Sequence, residues 1–188
     1  MCDGSSLVTG APDGLQPGLR SPWSSCETVR ADLLATLGTV PPGHWARRPG
    51  SGRWSVAQQA DHLLKAEVGT SKIVRRLIRG DYQGLARPPG AALYDSRLDA
   101  YPFGPVAAPP ALQPEGLDAG EVYAQLAAAH ARFLEELRRF AAADPDAILA
   151  PDPASDLWFT LAGWVRVQAL HEAHHVLQIK DLAREWCG

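Results

Sequence analysis

Residues 161–185 read LAGWVRVQALHEAHHVLQIKDLARE, and this stretch predicts a long amphipathic helix near the end of the chain. Trp164 and Ile179 recur on one face at the helical period, and His171 and His175 lie on that same face. Burying two histidines in an apolar face is costly unless they have a partner. The stretch therefore predicts a helix that packs inside a bundle and carries a polar site on its inward face.

Three further helices are predicted over about residues 24–37, 54–79 and 118–143, where apolar residues recur at helical spacing. Ser55 suits the N-cap of the second of these helices, because its hydroxyl can accept a hydrogen bond from a free backbone N–H of the first turn. The sequence contains no internal repeat and no convincing strand pattern. It therefore predicts an all-α fold, a four-helix bundle.

A long stretch rich in proline and glycine, residues 80–116, separates the second and third helices. Loops of this length inside a compact domain are usually functional or disordered. This one is long enough to cross the bundle from end to end, which would let helices two and three run parallel. It also carries Tyr82, Tyr94 and Tyr101, which either pack within the loop or wall a pocket.

The 188 residues fit a flexible segment rich in Gly, Ser and Pro at residues 1–22, followed by one domain at residues 23–188. The first segment lacks the apolar core of a signal peptide, and no apolar run approaches the roughly 18 residues that span a bilayer. A net charge of −3 argues against nucleic acid as a partner. Cys2, Cys26 and Cys187 form no CxxC pair, so we expect a protein of the reducing cytoplasm.

The spacing of the two histidines in the last helix predicts a metal site. Residues 171 and 175 lie one turn apart, so their imidazoles can share one ion. His62 on the second helix is the best candidate for a third ligand. Three histidines leave coordination positions open, which is typical of a catalytic site, and they suit zinc, nickel, copper and iron alike.

The same segment also matches the His-Glu-x-x-His motif, with Glu172 in the position of a general base. Zinc hydrolases of that type take a third ligand from beyond a following turn, and the residues after His175 continue the same helix. This alternative is therefore disfavoured. His174 is expected to face solvent or to support the site from outside, and His130 on the third helix is expected to be exposed.

Two stretches resemble a known family. Residues 54–63, WSVAQQADHL, resemble the opening of the second helix in the DinB-like metal-binding superfamily. Residues 161–164, LAGW, followed by residues 171–179, HEAHHVLQI, resemble the last helix of that family, where a Trp precedes a His-x-x-His-His…Gln-Ile signature. The likeness covers roughly Ser24 to Glu185, although only these stretches are specific.

The resemblance implies an up-down-down-up bundle, a homodimer, and a mononuclear zinc or nickel site made of His62, His171 and His175. It implies a small-molecule substrate, since family members include S-transferases that use low-molecular-weight thiols such as bacillithiol or mycothiol, a mycothiol-dependent isomerase, and proteins described as metal-dependent hydrolases. The chain departs from the family at residues 155–160, where a His-Pro…Gly stretch is common, and in the loop at residues 80–116.

Our leading hypothesis is a metal-dependent enzyme that acts on a thiol or a small electrophile, because a bound metal lowers the pKa of a thiol or of water. Glu172 or Asp61 would orient a ligating imidazole, or Glu172 would act as the catalytic base. The alternative is a non-catalytic metal-binding or stress-response protein of the same fold. A factor that touches DNA is a third hypothesis, which the charge does not favour.

Overall fold

The computed structural model describes residues 12–50, 52–103 and 107–187. These residues form four α-helices, three short strands and two three-residue 3₁₀-helices, Pro42–His44 and Pro110–Leu112. In chain order the α-helices and strands are α1 (Pro17–Gly38), α2 (Val56–Ile78), β1 (Leu93–Tyr94), α3 (Ala119–Arg138), β2 (Leu149–Pro151), β3 (Trp158–Thr160) and α4 (Leu161–Cys187). Within these described ranges, no helix is long and apolar enough to cross a membrane.

The contacts between helices give their directions. Residue numbers rise together along α1 and α4 and along α2 and α3, so each of these pairs runs parallel, whereas α2 and α4 run antiparallel. For α1 and α4 the contacts are Cys26–Val165 and Asp32–Lys180. For α2 and α3 they are Glu67–His130 and Arg75–Glu136, and for α2 and α4 they are Gln59–His175 and Thr70–Gln168. The bundle is therefore up-down-down-up, and the residues between α2 and α3 cross its length, as predicted.

The start of α2 follows directly from its sequence. The Ser55 hydroxyl accepts from the Gln58 backbone N–H at 3.2 Å, and the Gln58 side chain accepts from the Ser55 N–H at 3.1 Å. This reciprocal capping box satisfies two backbone donors that would otherwise have no partner. The helix that carries His62 therefore begins where the sequence predicts, which fixes the position of that histidine relative to the following turns.

Two helix boundaries differ from prediction. α1 begins at Pro17 rather than near residue 24, because Pro17 occupies the first turn and the Gln16 side chain caps it by accepting from the Gly18 N–H. The predicted flexible segment at residues 1–22 thus overlaps this helix, and its first eleven residues lie outside the described residues. α3 ends at Arg138 rather than near residue 143, although Phe140 beyond it is still buried.

A small sheet, which the sequence did not predict, fastens the crossover between α2 and α3 to the base of α4. β3 lies in the centre, parallel to β1 and antiparallel to β2. Strands of two or three residues are too short to show an alternating pattern, so no sequence signal distinguishes them from loop. The sheet joins the crossover to the residues that lead into the helix with two of the site histidines.

A polar layer divides the hydrophobic core into two halves. One half gathers around Trp23, Phe133 and Phe159, and the other around Leu33, Leu63 and Leu126. Between them each helix contributes one ionisable side chain at the same level of the bundle: Arg30 from α1, Glu67 from α2, His130 from α3 and Glu172 from α4. Charged groups in such a position must be paired, since an unpaired buried charge is very costly.

The crossover passes very close to the first turn of α4 at Gly163. A Cβ atom added at this glycine would lie 2.2 Å from the backbone oxygen of Tyr94 in β1. The Gly163 N–H also donates to the Thr160 hydroxyl at 3.0 Å, which caps the start of the helix. Only glycine allows both the cap and the strand to be in place.

We predict that Gly163→Ala lowers the free energy of unfolding by about 1–3 kcal/mol, because the backbone of Tyr94 has to move away from the new methyl group. Gly69→Ala, in the middle of α2, is the matched control, since nothing lies within 4 Å of a Cβ added there. That control should gain about 0.5–1 kcal/mol of helix stability. Denaturant unfolding followed by circular dichroism measures both; equal stability of the two variants would contradict the close approach.

Candidate metal centre

Three histidines from two antiparallel helices converge at one point of the bundle. His62 comes from α2, and His171 and His175 come from successive turns of α4. The centroids of the three rings are each 4.9 Å from one another, and one nitrogen atom from each ring lies within 4.8 Å of the other two. The three residues that the sequence predicts as metal ligands are thus brought together in a group that could hold an ion.

Hydrogen bonds to two of the rings fix which nitrogen faces inward. The Nδ1 of His62 lies 2.9 Å from the backbone oxygen of Leu112, and the Nδ1 of His175 lies 3.2 Å from the side-chain oxygen of Gln59. Carbonyl oxygens only accept, so in each neutral ring the proton is on Nδ1 and the lone pair is on Nε2. Outer partners of this kind orient metal-binding imidazoles in known sites.

Burial keeps the three imidazoles in the form that binds metals. It lowers the pKa of His175 to about 3 and lowers the pKa of His62 from its usual value. The pKa of His171 is well below its usual value, because of burial and of the neighbouring histidines. The rings are therefore neutral at neutral pH, each with one nitrogen lone pair available, and a cation need not displace a second proton.

Aromatic rings flank the three histidines. The Trp54 ring lies 4.8 Å from that of His62 and is stacked at 6.1 Å on that of His175. The ring of Tyr101, in the crossover, stacks at 5.4 Å on the ring of His171 and at 5.3 Å on the exposed ring of His174. These rings cover the site and lower its exposure to water, which strengthens electrostatic interactions inside it.

The three tyrosines of the crossover divide between the two roles that the sequence left open. All three are in the described part of the chain, and Tyr101 alone among them contacts a site histidine. Tyr94 packs against Phe159, and Tyr82 lies under the guanidinium of Arg76. Tyr101 is therefore the tyrosine that walls the site.

Asp61 was predicted to orient a ligating imidazole, but the Leu112 carbonyl and the Gln59 side chain do so instead. The Asp61 carboxylate accepts hydrogen bonds from the backbone N–H groups of Glu115 and Gly116, at 2.7 and 3.0 Å, and pairs with Lys65 at 3.2 Å. Burial alone would raise the pKa of Asp61, but these donors lower it. Asp61 thus holds the end of the crossover against α2, which places the Leu112 carbonyl beside His62.

Arg30 forms a buried ionic network that sequence analysis missed. Its Nε and one terminal nitrogen donate to the carboxylate of Glu172 at 2.8 and 2.7 Å, and that same nitrogen donates to Glu67 at 2.9 Å. Its other terminal nitrogen donates to the backbone oxygen of Leu126 at 3.0 Å. The sequence signal was a charged residue inside the apolar stripe of the first helix.

Glu172 belongs to this network rather than to the group of histidines. It follows His171, and one step along a helix turns the side chain by about 100°, which here brings the carboxylate to Arg30 of α1. Burial raises the pKa of Glu172, and the hydrogen bonds from Arg30 oppose that rise. The role of Glu172 as a catalytic base stays a prediction. A base needs a free carboxylate oxygen to accept a proton, and both oxygens of Glu172 already accept hydrogen bonds from Arg30.

His130 lies in the same network, and the prediction that it is exposed is wrong. Its Nδ1 lies 2.8 Å from the carboxylate of Glu67, and its ring stacks at 4.5 Å on Trp23. The alanines on either side of it in the sequence suggested a solvent-facing helix surface. In the bundle, the parallel packing of α2 and α3 places this ring against Glu67 instead.

We predict that Glu172→Gln lowers the free energy of unfolding by about 3 kcal/mol, because it leaves Arg30 buried with one charge partner fewer. Glu185→Gln on the same helix is the control, since Glu185 pairs with Arg53 in an exposed ion pair and should change stability little. Both are measured by urea unfolding. A Glu172 variant as stable as the control would show that the buried ion pair does not support the fold.

Comparisons with known proteins give one family and one fold. A sequence model described as the DinB superfamily matches residues 26–179. A crystal structure described as that of "TT2238, a four-helix bundle protein" is similar in fold, with a TM-score of 0.58 and 24% sequence identity over 86% of this chain and 97% of the other. Among curated proteins, none matches this chain.

Proposed function

The chain belongs to the DinB superfamily, and on that basis we propose that it is a metal-dependent enzyme acting on a small-molecule substrate. In this proposal His62, His171 and His175 hold one divalent cation, zinc or nickel, and leave coordination positions open. The observation that carries it is the convergence of three neutral imidazoles from two helices. Three histidine ligands with an open position are a common arrangement in catalytic zinc sites.

The residues present fit a cation. The Nε2 atoms of His62 and His171 lie 3.0 Å apart, and the Nε2 of His62 carries a lone pair because its Nδ1 proton is donated to Leu112. A cation accepts electron pairs from all three rings at once, whereas a hydrogen bond between two rings leaves the third unused. A metal ion therefore uses the nitrogen lone pairs of all three histidines, which hydrogen bonds among the rings do not.

A divalent cation bound there would supply Lewis acidity, which lowers the pKa of a substrate thiol or of water. The chain's own residues supply the remaining requirements. Leu112 and Gln59 hold two rings by their Nδ1 protons, while Trp54 and Tyr101 exclude water. Burial raises the pKa of Tyr101 to about 12, so its hydroxyl stays protonated and can donate a hydrogen bond to a substrate.

The reaction class that we propose is transfer of a low-molecular-weight thiol to a small electrophile, or hydrolysis, as in relatives of this superfamily. A His-Glu-x-x-His hydrolase mechanism is less compatible with the site, because its general base would be the carboxylate of Glu172. That carboxylate receives two hydrogen bonds from Arg30. The enzyme would therefore rely on the metal, and not on Glu172, to activate the nucleophile.

We predict that the purified protein, without a histidine tag, contains about one zinc or nickel ion per chain, and that His62→Ala, His171→Ala and His175→Ala each lose it. His174→Ala is the matched control, because His174 is exposed and its ring nitrogen contacts Gln178. Metal content is measured by mass spectrometry, and circular dichroism should report intact helices in all four variants. Metal retained in the first three variants would refute the assigned ligands.

We also predict that the cobalt-loaded protein changes its visible spectrum when azide is added, because an open coordination position accepts an outside ligand. His174→Ala serves again as the variant that should respond normally. A spectrum that azide leaves unchanged would favour the alternative function, a non-catalytic metal-binding or stress-response protein of the same fold.

A further inference from the structure

A cavity lies beside Trp54 of the histidine site, on the side of the loop between α1 and α2. It measures about 440 Å³, which is within the size range of small-molecule sites. Its walls come from that loop, from the first turn of α2 and from the end of the crossover. The lining residues are Arg48, Pro49, Gly52, Arg53, Trp54, Gln58, Gln113 and Pro114.

The lining of this cavity favours an anion. It contains two arginines and two glutamines and no carboxylate, although the chain as a whole carries a net charge of −3. Arg53 pairs with Glu185 at the surface, while Arg48 forms no ion pair with any residue that the structure describes. A guanidinium presents several N–H donors in one plane, which suits a carboxylate or a phosphate.

Two walls of the cavity are shared with the histidine site. Trp54 lines the cavity, and its ring also contacts those of His62 and His175. Gln113 lines the cavity and directly follows Leu112, whose carbonyl oxygen accepts from the Nδ1 of His62. A molecule held in the cavity therefore lies beside the Trp54 ring and next to the chain segment that carries the Leu112 carbonyl.

We propose that this cavity binds the anionic end of the substrate, with Arg48 as its main electrostatic contact, while the reacting end reaches the histidine site. The inference rests on the proposed function, and it narrows the substrate to a small molecule that carries a negatively charged group such as a carboxylate. Arg48 acts in this proposal as a specificity residue, and it takes no part in the chemistry.

The test uses two thiols that differ at their far end, 3-mercaptopropionate and the neutral 3-mercaptopropan-1-ol. Each is titrated into the cobalt-loaded protein, and binding is followed by the thiolate-to-cobalt absorption band and by calorimetry. We expect the anionic thiol to bind about tenfold more tightly than the neutral one, in keeping with one charge-assisted hydrogen bond. Arg48→Gln should remove this preference without weakening the neutral thiol.

Arg47→Gln is the matched control, because the guanidinium of Arg47 lies over the ring of Trp186 and does not line the cavity. It should keep the full preference for the anionic thiol. Equal binding of both thiols, or a preference that survives Arg48→Gln, overturns the inference and leaves the proposed function standing. Failure of both thiols to reach the cobalt overturns the proposed function, and the inference with it.

Discussion

The guanidinium of Arg30 is the point at which all four helices meet. It extends from α1 and donates hydrogen bonds to Glu172 of α4, to Glu67 of α2 and to the backbone of Leu126 in α3. A buried charge pair is often no more stable than a well-packed apolar group, but removing one partner is very destabilising. The network therefore acts mainly as a constraint on how the helices can be placed relative to one another.

That constraint also determines the position of the candidate metal centre. Glu172 lies between His171 and His175 in sequence, and Glu67 lies little more than one turn beyond His62. When Arg30 holds both carboxylates at one level, α2 and α4 are kept in the register that makes the three imidazoles converge on the other side of these helices. The charged layer and the histidine site thus lie on different faces of the same two helices, α2 and α4.

The crossover completes the site from outside the bundle. It is fastened at one end by the pairing of β1 with β3 and by the close contact at Gly163, and at the other by the carboxylate of Asp61. Between these points it brings Tyr101 onto His171 and the Leu112 carbonyl onto His62. The described residues of this segment contain only the short strand β1 and a three-residue 3₁₀-helix, Pro110–Leu112, yet they supply a wall of the site and one of its hydrogen-bond acceptors.

Several features were predictable because they depend on local physics. The 3.6-residue period predicted the four helices, Ser55 as an N-cap predicted the start of α2, and the four-residue spacing placed His171 and His175 on one face. The length of the segment after α2 allowed the parallel arrangement of α2 and α3. His62 was chosen as the third member because the small residues Ala66 and Gly69 on its side of α2 were expected to let a partner helix come close.

Only the tertiary structure decided the partners of these residues. The sequence placed Glu172 beside the ligands and left its role open, but the direction of its side chain depends on where α1 packs, and that packing brings Arg30 to it. His130 was expected to be exposed and is covered by Trp23 from a distant part of the chain. Spacing along a helix is a local property that the sequence determines, whereas hydrogen bonds between helices join residues about a hundred positions apart, as Arg30 and Leu126 show.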